Sequence, residues 1–248
     1  MNELAEILAN SKRIVFFGGA GMSTESGIPD FRSAGGLYNQ DSGVNYAPEQ
    51  VLSHEFFLRH TAEFYEYYRA NLLHPQARPN AGHLALAQLE SHGILSAVIT
   101  QNIDGLHQAA GSQRVLELHG GVNRNTCLEC ERRFSIETIA NSNGIPHCAC
   151  GGIIKPDMVL YGEMLDEAVI DAACAELRAA DTLIVGGTSL VVYPAAGLIR
   201  YFDGEQLVLI NKQETPYDYL ATLVSRDPIG EALGLAVSSL PGVGQESE

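Results

Sequence analysis

The stretch from Arg13 to Ser33, RIVFFGGAGMSTESGIPDFRS, constrains the fold of this chain more than any other segment. Its apolar run Ile14–Phe17 ends in glycine, which is typical of a buried parallel strand that turns into a helix. Gly19 and Gly21 carry no Cβ atoms, so we expect backbone amides in this turn to approach a ligand closely. The predicted helix start would favour a diphosphate and offers capping hydroxyl groups. These hydroxyl groups belong to Ser23, Thr24 and Ser26.

The glycine-rich turn is an incomplete dinucleotide-binding fingerprint. Its third glycine position holds Thr24, and Asp41, the nearest acidic residue outside the loop, follows no apolar strand. Taken alone, such a turn is equally typical of an ordinary structural turn. Gly27 and Pro29 should end the helix early and leave residues 30–32 on a loop above the turn.

Three further apolar runs end in glycine or in side chains that form hydrogen bonds. They are Leu95–Thr100 before Gln101-Asn102-Ile103-Asp104, Thr182–Val185 before Gly186-Gly187-Thr188-Ser189, and Gln206–Ile210 before Asn211-Lys212. Open α/β sheets bind ligands at the carboxyl ends of their strands. Four such strands, separated by helical patterns, therefore predict a doubly wound Rossmann-like parallel sheet with one ligand crevice.

The remaining patterns predict helices on this sheet and a small helical module beside it. An N-terminal helix presents one apolar face, formed by Leu4, Ile7 and Leu8. After a break at Pro79-Asn80, the helix His83–Leu89 is expected to face a core with Leu84, Leu86 and Leu89. Six aromatic residues form two helical patches that we interpret as packing residues of the small module. They are Phe56, Phe57, Phe64, Tyr65, Tyr67 and Tyr68.

Four of the five cysteines form two close pairs within the insertion 122–155. Two tight pairs of thiolates suit a tetrahedral Zn²⁺ ion with Zn–S distances of about 2.3 Å. Two disulfides are the alternative, but clustered cysteines in a chain that starts with an amphipathic rather than a secretory segment favour the metal. A site closed by four thiolates has no open coordination position, so we expect the zinc to be structural.

Four separate blocks of the sequence resemble the sirtuins, the NAD-dependent protein lysine deacylases. The blocks are GAGMSTESGIPDFRS, TQNIDGLH, LHG and GTSLVVYPAA, and with the zinc module they extend the resemblance over essentially the whole chain. The resemblance implies an NAD-binding Rossmann-like domain of residues 1–38, 82–121 and 156–248. It also implies a small domain of residues 39–81 and 122–155, made of the helical module and the zinc module.

In that family an acyl-lysine peptide enters the cleft between the two domains, and its acyl oxygen attacks the nicotinamide ribose. Nicotinamide leaves and the acyl group passes to ADP-ribose. The resemblance therefore implies deacetylation that yields nicotinamide, O-acetyl-ADP-ribose and free lysine. It gives His119 the role of general base toward the ribose hydroxyls, which suits an imidazole that titrates near neutral pH. Only the setting Leu118-His119-Gly120 distinguishes this histidine from His83 or His107.

The same resemblance assigns the NAD-binding residues. Asn102 and Asp104 would line the nicotinamide pocket, and Gln101 would bind the ribose. Phe31 would shield the reacting sugar, and Asn211 would contact the adenosine ribose. The diphosphate and its loop would be held by Ala20, Gly21, Arg32 and Ser189. The expected cofactor residues further include Gly19, Ser23, Thr24, Ile103, Gly187, Thr188 and Lys212.

The resemblance also identifies a peptide-binding segment and the zinc ligands. An extended peptide would add to residues 157–163 through main-chain hydrogen bonds. The residues expected to contact it are Val159, Leu160, Tyr161 and Gly162. The second cysteine pair departs from the usual sirtuin spacing, because His147 stands at the expected first position. We choose the set Cys127, Cys130, Cys148 and Cys150, with His147 as the alternative to Cys148.

The acyl preference follows from two tyrosines. Desuccinylating sirtuins carry a Tyr-x-x-Arg pair whose guanidinium binds an acidic acyl chain. Here Tyr65 and Tyr68 occupy those two positions, and Arg69 comes one residue later. One residue turns a helical side chain by about 100°, so Arg69 should point away from the acyl pocket. A tyrosine hydroxyl does not offset the burial of a carboxylate, and we therefore expect a neutral-acyl enzyme.

Composition argues against several other classes of protein. Fifteen basic and thirty acidic residues give a formal net charge of −15, which disfavours binding to nucleic acid phosphates. No run approaches the roughly 18 apolar residues of a membrane span. A dehydrogenase would need the complete glycine fingerprint, and a nucleic-acid-binding zinc ribbon would need basic surroundings instead of Glu129 and Glu131. We expect a cytoplasmic monomer that acts on acetyl-lysine proteins and binds neither nucleic acid nor membrane.

Overall fold

The computed structural model describes residues 2–39 and 46–243, so Asp41 and parts of the two predicted domains lie outside the described residues. The strands in these ranges are β1 (Ile14–Gly18), β2 (Leu95–Thr100), β3 (Val115–Glu117), β4 (Gly120–Cys127), β5 (Arg133–Phe134), β6 (Ile154–Met158), β7 (Thr182–Gly186), β8 (Gln206–Ile210) and β9 (Leu223–Ser225). The α-helices are α1 (Glu3–Asn10), α2 (Pro48–Val51), α3 (His54–Arg59), α4 (Thr61–Asn71), α5 (Ala81–Ser91), α6 (Leu106–Ala109), α7 (Ile136–Ala140), α8 (Glu167–Ala179) and α9 (Ile229–Ser238). Four 3₁₀ helices complete the described elements: Ala20–Ser26, Leu37–Asn39, Ala195–Tyr201 and Asp218–Leu220.

The main sheet is parallel, with the strand order β3-β2-β1-β7-β8-β9. The chain winds outward from β1 on one side and from β7 on the other, so a ligand crevice is expected where these two strands end. This confirms the doubly wound prediction and its four strands. The edge strands β3 and β9 were not predicted, because each has three residues and lacks a sustained apolar run.

Each face of this sheet carries its own apolar core, because side chains alternate between the two faces along a strand. Phe16 packs in a core with residues of α1, α5 and α9. Its neighbour Phe17 packs on the other face, in a core with residues of α8 and of the 3₁₀ helix Ala195–Tyr201. The two layers of helices hold the carboxyl ends of the strands in fixed positions.

The prediction that Leu84 faces a core is wrong. Leu86 and Leu89 are fully buried on α5, but Leu84 is 54% exposed. Leu84 and Leu86 are two residues apart and therefore lie about 200° apart around a helix, so they do not share one face.

A third apolar core lies beside the sheet and contains all six predicted aromatic packing residues. It combines residues of α2, α3 and α4 with residues of the cysteine module, whose sheet has the antiparallel order β5-β4-β6. We propose that this core is the centre of the small domain expected from the sequence. It extends beyond the expected ranges to Leu37, Met158 and Leu160. No helix in the described part of the chain has the length and apolarity to cross a membrane.

Candidate active site

A cavity of about 550 Å³ lies between the carboxyl edge of the main sheet and the third core. Tyr65 and Tyr68, which we expected at the acyl pocket, do not line this cavity. All residues assigned to the cofactor, to the peptide segment or to the role of base do line it. These residues are Gly19, Ala20, Gly21, Ser23, Thr24, Phe31, Arg32, Gln101, Asn102, Ile103, Asp104, His119, Val159, Leu160, Tyr161, Gly162, Gly187, Thr188, Ser189, Asn211 and Lys212.

Glycine is required at residues 19 and 21 for a different reason from the one we expected. The Gly19 and Gly21 amides donate to the carbonyls of Gly186 and Gly187, at 3.1 and 2.8 Å, so they do not face a ligand. A Cβ atom on Gly21 would lie 2.7 Å from the Cα of Gly187. Glycine is needed here because two loops of the crevice pack backbone to backbone.

The helix after this turn also differs from the expectation. It is the 3₁₀ helix Ala20–Ser26, and no side chain caps its start. Ser23 is 1% exposed and donates from Oγ to Asp104 Oδ2 at 2.6 Å, while its oxygen accepts from Asn102 Nδ2 at 3.0 Å. The hydroxyl thus joins the end of β1 to the end of β2. Gly27, with φ of 83°, ends the helix as predicted.

His119 follows β3, and a hydrogen bond to the residue after β2 orients its imidazole ring. Its Nδ1 lies 2.9 Å from the carbonyl oxygen of Gln101, so Nδ1 carries the proton and donates, and Nε2 keeps a free lone pair. Burial lowers the pKa of His119 below its usual range, although the bond to the Gln101 carbonyl acts in the opposite direction. The imidazole is therefore a neutral base at neutral pH.

Polar side chains follow the strands along the edge of the crevice and form hydrogen bonds there. Gln101 donates from Nε2 to Thr188 Oγ1 at 3.0 Å, which connects β2 with β7 across β1. Asn211, after β8, donates from Nδ2 to the Gln213 carbonyl at 2.8 Å, and Lys212 is exposed. Because neighbouring strands lie about 4.8 Å apart, the ends of β2 and β8 are separated by about 14 Å. The crevice is long enough for an extended ligand.

A loop above the first turn covers one side of the cavity. The ring of Phe31 lies 5.4 Å from the ring of Tyr38, and the Arg32 guanidinium lies 5.5 Å from the same tyrosine ring. The loop is closed by a bond from the Leu37 amide to the Asp30 carbonyl at 2.7 Å. Phe31 and Arg32 are thereby placed at the cavity wall, as the sequence predicted for residues 30–32.

The expected peptide-binding segment is only partly a strand. The strand β6 ends at Met158, and beyond it Tyr161 forms a single parallel bridge with Ser53. The Val159 amide donates to the His119 carbonyl at 2.9 Å. Within the described residues, the Val159 carbonyl and the backbone of Gly162 form no hydrogen bond, so they remain available to a ligand.

The sulfur atoms of the four cysteines in the insertion form one cluster. Their Sγ atoms all lie within 4.8 Å of one another, with 3.5 Å between Cys127 and Cys150 and 3.6 Å between Cys130 and Cys148. Four sulfurs bound to zinc at 2.3 Å would be about 3.8 Å apart, so this set fits a tetrahedral ion. His147 is exposed, and its Nδ1 lies 3.1 Å from the Gly151 carbonyl. The geometry therefore favours Cys148 over His147.

Comparisons with known proteins agree with this architecture. The model of the Sir2 family matches residues 19–194. The chain belongs to the Sir2 family. A curated relative from Clostridium perfringens, named NAD-dependent protein deacetylase, is 56% identical over 239 residues, which cover 96% of this chain and 98% of the relative. A relative of the same name from Cutibacterium acnes is 55% identical and covers 93% of this chain and 95% of its own length.

Solved Sir2 structures share the fold. One contains a deacetylated p53 peptide and 3'-O-acetyl-ADP-ribose. It is 40% identical with a TM-score of 0.86, and the match covers 97% of this chain and 98% of that one. A second, described as a Sir2 homologue–NAD complex, is 36% identical with a TM-score of 0.84 and covers 95% of this chain and 92% of its own.

Several cavity residues of this Sir2 chain were missed from the sequence. Val192, Tyr193 and Pro194 line the cavity although they lie within the recognised block GTSLVVYPAA. Glu25 and Asp227 also line it. The sirtuin-like blocks were a usable signal for the first three and for Glu25, which lies within GAGMSTESGIPDFRS, whereas nothing local in the sequence marks Asp227.

Proposed function

We propose that this Sir2 chain removes acetyl groups from lysine side chains of proteins in an NAD-dependent reaction. The observation that carries the proposal is the cavity itself, which brings His119, the polar strand ends and the peptide-binding segment to one place. The names of the relatives support the same activity. When NAD is bound, its nicotinamide ribose supplies the electrophilic carbon, and ADP-ribose is the acceptor of the acyl group.

The residues present fit the cofactor. The cavity volume of about 550 Å³ lies within the range of about 300–1,000 Å³ typical of ligand sites. Asn102 and Asp104 would hold the nicotinamide, with Ser23 fixing both side chains. Asn211, about 14 Å away along the sheet edge, would contact the adenosine ribose.

His119 would move the proton that the reaction requires. Its Nε2 is unprotonated, because the bond to the Gln101 carbonyl holds the proton on Nδ1. A ribose hydroxyl within hydrogen-bond reach of Nε2 would donate to it and become a better nucleophile. Phe31, which lines the same cavity, would keep water away from this reaction.

The preference for a neutral acyl group stays a prediction from the sequence, because Tyr65 and Tyr68 are buried in the third core and do not line the cavity. Arg69 donates to the carbonyls of Ile139, Tyr65 and Gly144 and to Ser142 Oγ, so it is engaged with the cysteine module, as the prediction that it points away requires. The Tyr68 hydroxyl is buried and has no hydrogen-bond partner among the described residues. A carboxylate placed near it would lose its hydration without gaining a cation.

The cysteine cluster would hold one zinc ion with a structural role, because all four positions of a tetrahedral ion are filled by protein sulfur. We propose a cytoplasmic location, because four cysteines clustered for a metal rather than paired in disulfides are typical of a reducing compartment. We also propose a monomer whose partners are acetyl-lysine proteins, without binding to nucleic acid. The net charge of −15 supports the last point.

One assay distinguishes this function from a dehydrogenase and from a zinc-ribbon adaptor. The protein is incubated with NAD and an acetyl-lysine peptide, and nicotinamide is measured. The proposed function requires nicotinamide release that depends on the peptide. No nicotinamide release is the result expected of a dehydrogenase or an adaptor, because the mixture holds no hydride donor for a dehydrogenase, and it would contradict the proposed function.

A further inference from the structure

Tyr161 connects the peptide-binding segment to its surroundings by both its backbone and its side chain. Its amide donates to the Leu52 carbonyl, and its carbonyl accepts from the His54 amide, both at 2.9 Å. Its hydroxyl lies 2.8 Å from the hydroxyl of Tyr38, at hydrogen-bond distance. The backbone bonds hold the main chain of Tyr161, and the hydroxyl contact holds the far end of its side chain.

Tyr38 in turn belongs to the loop that carries Phe31 and Arg32. Its amide donates to the Phe31 carbonyl at 3.0 Å. Its ring lies 5.4 Å from the Phe31 ring and 5.5 Å from the Arg32 guanidinium. A displacement of the Tyr38 side chain would therefore change its contacts with both Phe31 and Arg32.

We propose that Tyr38 and Tyr161 are positioning residues, whose paired hydroxyl groups couple peptide binding at 159–162 to the placement of Phe31 and Arg32 at the cofactor. This inference rests on the proposed function, because it takes segment 159–162 as the peptide site. A peptide beside this segment restricts Tyr161 and shields the hydroxyl pair from water, which strengthens the bond between them. The strengthened bond favours the loop position in which Phe31 and Arg32 face the cofactor. Peptide and cofactor then bind more tightly together than apart.

The coupling is measured with ADP-ribose, which has no nicotinamide to release and so stays at equilibrium with an acetyl-lysine peptide. The coupling factor is the Kd of ADP-ribose without peptide divided by its Kd with saturating peptide, both obtained by calorimetry. Tyr38→Phe and Tyr161→Phe remove only the hydroxyl groups and keep the ring packing. Either substitution should lower the coupling factor toward one. The loss of one whole neutral hydrogen bond, about tenfold, is the upper limit, because only the strengthening of the bond by the peptide contributes to coupling.

The double variant separates a direct pair from two independent effects. If the hydroxyl groups act on each other, Tyr38→Phe/Tyr161→Phe loses no more coupling than either single variant. Tyr219→Phe, at a side chain that is 81% exposed, is the matched control and should retain the wild-type factor. A wild-type factor of one, unchanged factors in the single variants, or losses that add in the double variant would overturn the proposal.

Failure of the proposed function is distinguished by a parallel assay of the wild-type protein. If the protein binds the peptide but releases no nicotinamide from NAD, the deacetylase proposal fails. The ADP-ribose measurement still decides the role of the tyrosine pair, because it does not depend on turnover.

Discussion

Ser23→Ala tests how the ends of β1 and β2 are joined. The substitution removes two hydrogen bonds, one donated to Asp104 Oδ2 at 2.6 Å and one accepted from Asn102 Nδ2 at 3.0 Å. A bond to a charged group contributes about 1.5–3 kcal/mol and a neutral bond about 0.5–1.5 kcal/mol, so the pair contributes about 2–4.5 kcal/mol. Water does not readily replace the hydroxyl, because Ser23 is 1% exposed.

The expected loss lies at the lower end of this range. Asp104 remains anchored, because its Oδ1 still accepts from the Leu106 amide at 2.9 Å. A loss of about 2 kcal/mol corresponds to about a 30-fold lower kcat/KM for NAD. The assay is the initial rate of nicotinamide release at low NAD and saturating acetyl-lysine peptide, with thermal unfolding to confirm that the variant is folded.

Ser26→Ala is the matched control for this prediction. Ser26 lies in the same 3₁₀ helix and also loses one bond, from Asn80 Nδ2 at 3.0 Å, but it is outside the cavity lining. It should keep kcat/KM for NAD near the wild-type value. If folded Ser23→Ala differed from Ser26→Ala by less than about threefold, well below the effect of one charged hydrogen bond, the structural reasoning would be refuted.

Three further predictions concern metal, substrate and pH. Cys127→Ser should lose zinc and lower the melting temperature, whereas His147→Ala should keep one zinc ion per chain; metal analysis decides between them, and zinc loss in His147→Ala would contradict the ligand set. Succinyl-lysine should give at least about a 100-fold lower kcat/KM than acetyl-lysine on one peptide, because no arginine stands at position 68 to pair with the acidic acyl chain and an unpaired carboxylate costs about 3 kcal/mol; equal values would contradict this. Burial lowers the pKa of His107 to about 3 and that of His83 to about 4, so the unfolded chain takes up protons first and stability falls as the pH drops from about 6.5 toward these values. At pH 5 the loss from His107 alone is about 2 kcal/mol, and an unchanged urea midpoint between pH 7 and pH 5 would be inconsistent with it.

The predictable parts of the fold are those with a strong local pattern. The four central strands were evident because each combines an apolar run with polar residues at its end. The edge strands β3 and β9 were not, because three residues carry no period and their pairing depends on the neighbouring strand. The exposure of Leu84 was in principle predictable, since helical spacing alone places it away from Leu86.

The residues that line the site were predictable from the sequence, but the contacts between them were not. Resemblance and strand ends together indicated the cavity lining. The sequence did not show why residue 21 must be glycine. Gly187, which packs against it, is far away in the sequence and is brought close only by the pairing of β1 with β7. The choice between His147 and Cys148 likewise required the positions of the sulfur atoms.

The stoichiometry of the products tests the central proposal most directly. Wild-type protein, NAD and acetyl-lysine peptide should yield nicotinamide, free lysine and O-acetyl-ADP-ribose in equal amounts, as measured by mass spectrometry. His119→Tyr should stay folded, retain zinc and form none of the three above background. Lysine deacetylation without O-acetyl-ADP-ribose, or near wild-type turnover in folded His119→Tyr, would contradict the proposed function and the role of His119.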